Sequence, residues 1–260
     1  MKKSIFKVLG TAAAEVIPTL FCSCPVCDNA RKKGGRFCRL RSGYAIDNTV
    51  RIDFGPDAQS QSSRFGLDGK ALKYLFITHS HFDHFMPNDL ECVRYLPEKL
   101  NFYGNAAVIT KIKEFYFAEK MDLHTLEPGD RVEVPELEMS VTALAAHHIP
   151  TETALLYLLE RGDRRILIAH DTEYLPEDTL ERLQGKMLSY IFFDDTWGEG
   201  DRGCGHMGIP AIKREMEKLR TVGAADGNTQ AYPVHLGHVH ASSHETLSMT
   251  PAYDGMEVEW

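Results

Sequence analysis

Three histidines and an aspartate fall within six residues: His79, His81, Asp83 and His84, in the run Thr-His-Ser-His-Phe-Asp-His that begins at Thr78. Imidazole and carboxylate together suit zinc, manganese or iron. Two histidines one residue apart project the same way from extended backbone, which fits a pair on one ion. Asp83 and His84 then turn towards a neighbouring position, where a second ion would sit about 3.5–4 Å away. A single histidine here would read as a polar loop residue, but four donors in so short a run are costly to explain without metal. Two adjacent cations acidify a shared water and stabilise negative charge in a transition state, so the expected chemistry is hydrolysis.

A second group of donors lies near the amino terminus. Cys22-Ser-Cys24-Pro-Val-Cys27 offers three thiolates in a tight turn, one short of the four that a closed structural zinc takes. Six cysteines, three of them packed into six residues, suit a metal knot in a reducing compartment better than a disulfide framework, so a cytoplasmic location is expected. Cys38 and Cys92, isolated in sequence, are expected to be packing residues.

The His-x-His-x-Asp-His run resembles the signature of the metallo-β-lactamase superfamily. That resemblance implies an α/β fold, a four-layer αββα sandwich, and asks for a further His after a strand, an Asp at a strand end and a late His. The chain supplies them in order as His148, with its neighbour His147 as the alternative, Asp171, and His235. The implied sets are His79, His81 and His148 on one ion and Asp83, His84 and His235 on the other, with Asp171 shared. The ions would present a bridging hydroxide to the substrate. His170, beside Asp171, would point to the opposite face of an extended strand and is expected to have a supporting role. The fourth ligand of the cysteine knot is expected to be His238, which would tie the amino-terminal loop to the active-site strand; His240 and Cys38 are alternatives.

The knot narrows the resemblance. Gly10-Thr11, Pro18, the Cys-x-Cys-x-x-Cys run and Ser42-Gly43-Tyr44 are similar to the phosphoribosyl cyclic phosphate phosphodiesterases linked to carbon-phosphorus lyase. The likeness covers nearly the whole chain and is weaker over 54–73 and 198–203. It implies hydrolysis of a small phosphodiester, a cyclic ribose phosphate, with Asp83 and His206 as catalytic residues. His206 would protonate the departing oxygen or steady the phosphoryl group. It lies in Gly-Cys-Gly-His-Met-Gly at 203–208, before a helix whose start would favour an anion. The same ligands also serve thioester, lactone and RNA hydrolysis, and a related branch assists quinone cofactor formation without hydrolysis. The implied cofactors are two divalent ions in the active site (zinc, manganese or iron) and one structural zinc, and a homodimer is a further possibility.

These residues need a scaffold. Apolar, β-rich runs at Ser4–Leu9, Tyr44–Phe54, Tyr74–Thr78, Leu137–Leu144, Thr153–Glu160, Arg165–Ala169, Tyr190–Phe193 and Ala231–Leu236 predict strands. Helical patterns cover Asn88–Leu96, Ala106–Lys120, Glu177–Leu183 and Pro210–Val222, the last with Ile212, Met216 and Leu219 on one face. The alternation predicts layered α/β. The polar stretch Gly55–Gly69 reads as a surface loop. No linker, repeat or low-complexity tract divides the 260 residues, so a single domain spanning 1–260 is expected, with the zinc-knot loop at about 20–40.

The hydrophobic share of 43% and charged share of 25% are those of an ordinary globular chain. No run reaches the roughly 18 apolar residues of a membrane span. The first residues imitate a secretory signal, but Lys7, Glu15, Pro18 and the bulky Phe21 argue against processing. A net charge of -8 disfavours long nucleic acid, which is held largely by Lys and Arg. A small-molecule substrate is expected.

Overall fold

A computed structural model describes residues 3–239 and 245–260. Its first large sheet runs β15-β1-β2-β3-β4-β5-β6, with β1 Ile5–Gly10, β2 Gly43–Ile46, β3 Val50–Ile52, β4 Tyr74–Phe76, β5 Leu100–Gly104, β6 Met121–Thr125 and β15 Glu257–Glu259. The second runs β14-β11-β10-β9-β8-β7, with β7 Arg131–Val134, β8 Met139–Ala145, β9 Leu155–Arg161, β10 Arg164–Ala169, β11 Tyr190–Asp194 and β14 Gln230–Val234. A short hairpin, β12 Arg202–Gly203 and β13 His206–Met207, stands apart.

The sheets face each other across a core that includes Phe6, Tyr44, Ile52, Phe76, Tyr157, Ile168 and Phe192. Helices cover both outer faces. Val108, Ile109 and Ile112 of α3 (Ala106–Ile112) pack on the first sheet. Leu183 of α4 (Glu177–Leu183) and Ile212, Met216 and Leu219 of α5 (Ile209–Thr221) pack on the second. The result is the expected αββα layering. Strands such as β10, buried on both faces from Ile166 to Ala169, carry continuous apolar runs because no face meets water.

Several local expectations change. The Tyr44–Phe54 run is two strands, because Asp47 takes a positive φ of 49° and turns the chain into a hairpin. The polar 55–69 stretch contains α2 (Ala58–Phe65), which is held by polar contacts and not by an apolar stripe. Gln61 donates to the Arg41 carbonyl at 2.7 Å and accepts from Arg51. The Asn88–Leu96 helix is a 3-10 helix at Pro87–Tyr95, burying Leu90 and Val93 at the spacing of three that this form favours. The 106–120 pattern breaks after Ile112 and resumes as a 3-10 turn at Tyr116–Lys120, which lets both Phe115 and Phe117 reach the core. The cysteine loop also contains a helix, α1 (Pro25–Lys33), capped by Cys24.

Candidate metal centre

Strand ends between the two sheets supply the site. Asp53 follows β3, the 79–84 run follows β4, His148 follows β8, Asp171 follows β10, Asp194 ends β11 and His235 follows β14. Asp53, Asp171 and His235 each take a positive φ, between 54° and 63°, turning the chain where each strand stops. Such backbone is uncommon outside glycine and clusters at functional sites. Gly55 lies against the ligand loop so closely that a Cβ there would sit 1.9 Å from the Asp83 carbonyl oxygen.

The ligand nitrogens and oxygens converge. His79, His81 and His148 place donor atoms within 4.8 Å of one another, as do His79, His84 and Asp171. His235 Nε2 lies 3.2 Å from Asp171 Oδ1 and 3.5 Å from Asp83 Oδ2. His84 Nε2 lies 2.7 Å from Asp171 Oδ2 and 3.0 Å from Asp83 Oδ2.

The opposite nitrogens of four of these histidines are anchored. His84 Nδ1 donates to Asp53 at 2.7 Å and His148 Nδ1 to the Gly205 carbonyl at 3.1 Å. Thr78 and Thr196 each give a hydroxyl proton to a carboxylate, Asp53 and Asp194 respectively, so each Oγ accepts from the adjacent ring, His79 Nδ1 at 3.1 Å and His235 Nδ1 at 2.9 Å. Every anchor fixes a tautomer and turns Nε2 into a lone pair. Lone pairs then face lone pairs. His79 Nε2 is buried without a hydrogen-bond partner, and the buried His84 Nε2 and Asp171 Oδ2 crowd each other at 2.7 Å without hydrogen-bond alignment. Buried polar atoms of this kind call for a cation, and the mixed imidazole and carboxylate set fits a pair of divalent ions.

The two carboxyls are held as anions. Burial pushes the Asp83 and Asp171 carboxyls up towards the protonated form, but the surrounding histidines outweigh it and hold both well below the usual range. Burial pulls His79 down as a base, whereas Asp171, Asp83 and Asp53 lift His84 against the same penalty.

His206 completes the group from the β12–β13 hairpin. Its Nδ1 donates to Asp194 at 2.7 Å, and its ring stacks on His235 at 5.3 Å. Although burial opposes the charged form, Asp194 first, then Asp171 and Asp83, raise His206 to about 9. The amides of Gly208 and Ile209 at the start of α5 already donate to the Asp201 and Gly198 carbonyls.

Elsewhere, His147 stacks on Tyr174 at 4.2 Å, outside the His79, His81 and His148 group. His170 donates to Asp53 at 3.0 Å and packs flat on Tyr44. Cys22, Cys24, Cys27 and His238 gather within 4.8 Å, with His238 Nδ1 at 3.4 Å from Cys22 Sγ and 3.5 Å from Cys24 Sγ. Burial raises Cys24 but hydrogen bonding from His238 and the Cys27 amide brings it down to about 6, favouring the thiolate that a metal needs. Glu15 holds the other His238 nitrogen at 2.8 Å. Cys38 points to the Ala30 carbonyl instead, and His240 lies outside the described residues. Cys92, expected to be a packing residue, is exposed. Asp53, Thr78, Asp194 and Thr196 escaped the sequence reading. The acids at least carried the signal used for Asp171, an acid closing a β-rich run.

Residues 48–236 match the family described as the beta-lactamase superfamily domain. The chain belongs to this superfamily. Its fold is similar to that of a diphosphatase from the PhnP family, at 22% identity, 99% of this chain, 97% of that one and a TM-score of 0.76. It is also similar to zinc-bound PqqB from Methylobacterium extorquens (18% identity, 98% and 100% coverage, TM-score 0.75) and to the short form of human tRNase Z (16%, 98% of both chains, 0.64). No curated protein sequence matches the chain. Among the described residues, no helix is long and apolar enough to cross a membrane.

Proposed function

We propose that this beta-lactamase superfamily chain is a metal-dependent phosphodiesterase acting on a small, cyclic ribose phosphodiester. The observation that carries the reading is the set of anchored histidines whose free lone pairs face Asp83 and Asp171. His79, His81 and His148 would hold one divalent ion, Asp83, His84 and His235 the other, and Asp171 both; Cys22, Cys24, Cys27 and His238 would hold a structural zinc. When bound, the active-site ions supply a nucleophile from water near neutral pH and offset charge on the phosphoryl oxygens.

The protein residues have separate tasks. Asp53 and Asp194, through Thr78 and Thr196, keep His79 and His235 oriented. His206, its Nδ1 tied to Asp194, keeps Nε2 for the substrate in the cavity it lines and delivers a proton to the departing oxygen. The cavity of about 480 Å³ suits a small molecule, and the net charge of -8 disfavours long RNA. The PhnP-family neighbour, a diphosphatase, supports phosphorus chemistry.

PqqB is the structural basis for the alternative, a cofactor-biosynthesis role, and the intact ligand set speaks against it. Metal-reconstituted protein assayed on a 2′,3′-cyclic nucleotide, bis(p-nitrophenyl) phosphate and a thioester separates the readings. Turnover of the phosphodiesters is expected. Thioester-only turnover, or metal content with no ester hydrolysed, would overturn the proposal.

A further inference from the structure

Phe82 sits between the ligand residues His81 and Asp83, yet its side chain is turned outward and 51% exposed. It lines the mouth of the site together with Ala13, Trp197 and Val239. An exposed aromatic ring within a metal-ligand loop has no packing role to explain it. Its backing is fixed. The Arg41 guanidinium lies over the ring at 5.7 Å, and Arg41 is itself held by the Ala14 carbonyl at 2.7 Å and by Asp57 at 3.2 Å. A guanidinium on one face pre-sets the ring as a platform for a planar group on the other.

The charges around the mouth point the same way. Beside the ligand carboxylates Asp83 and Asp171 it is lined by Glu15, and among its described lining residues there is no Lys or Arg. Arg41, whose guanidinium backs Phe82, is paired with Asp57. Beyond the ions and His206, which serve the phosphodiester itself, a second phosphate would meet no counter-charge among the described lining residues, whereas an uncharged flat ring would meet Phe82.

We infer that Phe82 is a specificity residue that stacks on an uncharged planar ring carried by the substrate, so that the preferred class is a nucleoside or aryl phosphodiester. This rests on the phosphodiesterase reading given above. Base stacking on an aromatic side chain is sequence-tolerant and its removal by alanine costs about 5- to 100-fold.

The test uses full-length, metal-reconstituted protein and compares kcat/KM for adenosine 2′,3′-cyclic phosphate with that for ethylene glycol cyclic phosphate, which has no ring to stack. Calorimetry of adenosine 5′-monophosphate against ribose 5-phosphate supplies a binding readout independent of turnover. In Phe82→Ala the planar-to-non-planar kcat/KM ratio is expected to fall about ten-fold or more, and the preference for the nucleotide in calorimetry to shrink equally. Phe82→Trp restores both and Phe82→Leu does not. Unchanged ratios in Phe82→Ala, or full rescue by Leu, would overturn the inference while leaving the phosphodiesterase reading intact. Wild-type protein that hydrolyses neither phosphodiester but still prefers the nucleotide in a Phe82-dependent way would overturn the function and keep the stacking site; no hydrolysis and no preference would overturn both.

Discussion

Asp53 touches no expected metal ligand atom that faces an ion, yet its removal is expected to damage both stability and metal affinity. Its buried carboxylate accepts from the Thr78 amide at 2.9 Å, the Thr78 hydroxyl at 3.0 Å, His84 Nδ1 at 2.7 Å and His170 Nε2 at 3.0 Å. Asp53→Ala leaves all four donors without an acceptor. Each stranded buried donor costs about 1–3 kcal/mol. Water entering the space left by the carboxylate satisfies some, so a net loss of about 3–5 kcal/mol is expected, the range for a broken buried ion pair. His84 and, through Thr78, His79 also lose the contacts that fix their tautomers, which is expected to weaken metal binding about 10- to 100-fold. Urea unfolding in chelator reads the first effect, and competition titration against a metal indicator reads the second. An unfolding midpoint equal to wild type together with affinity within two-fold would refute the anchoring argument.

Other parts of the structure give independent checks. Asp195 is buried with both oxygens unbonded, and burial, then the Asp194 charge, push it up to about 9. The native state therefore retains a proton that the unfolded chain releases near pH 4, and stability falls as pH rises from about 4 to about 9, by up to about 1.4 kcal/mol per unit. Asp195→Asn should remove this term, so the advantage of the variant over wild type in metal-free unfolding should grow with pH; parallel profiles would contradict it. Gly55→Ala places a methyl against the Asp83 carbonyl and should cost about 1–3 kcal/mol while lowering metal occupancy; a calorimetric Tm and metal content equal to wild type would remove the close-approach argument. Cys24→Ser should lower the zinc content by one equivalent and expose the 20–39 segment to proteolysis; unchanged zinc would remove Cys24 from the knot.

Much of the layering was legible because it follows from local pattern. Glu177–Leu183 appears with the bounds its periodicity predicts, and β10 and β11 lie within a residue of theirs. What the sequence concealed depends on distant partners. The helix Ala58–Phe65 has a composition typical of loops and is settled by Gln61 reaching the Arg41 carbonyl and Arg51, some 10 to 20 residues away in sequence. The edge strands β6 and β7 carry mostly accessible residues and so lack a strong apolar signal. At the site, the ligands were legible because metal donors cluster in sequence. Their anchors were not, since Asp53 and Asp194 are single acids whose importance comes only from the histidines and threonines that the fold brings to them.

The central claim is that hydrolysis depends on ions held by the His79 to His84 run, His148, Asp171 and His235. Protein stripped of its active-site ions but keeping its structural zinc, titrated with Mn²⁺ or Zn²⁺ while hydrolysis of a 2′,3′-cyclic nucleotide is followed, tests it directly. Activity should be absent at first and rise to saturation at two equivalents per chain, with no rise in Asp171→Ala. Turnover without added metal, or saturation unchanged by Asp171→Ala, would contradict the account.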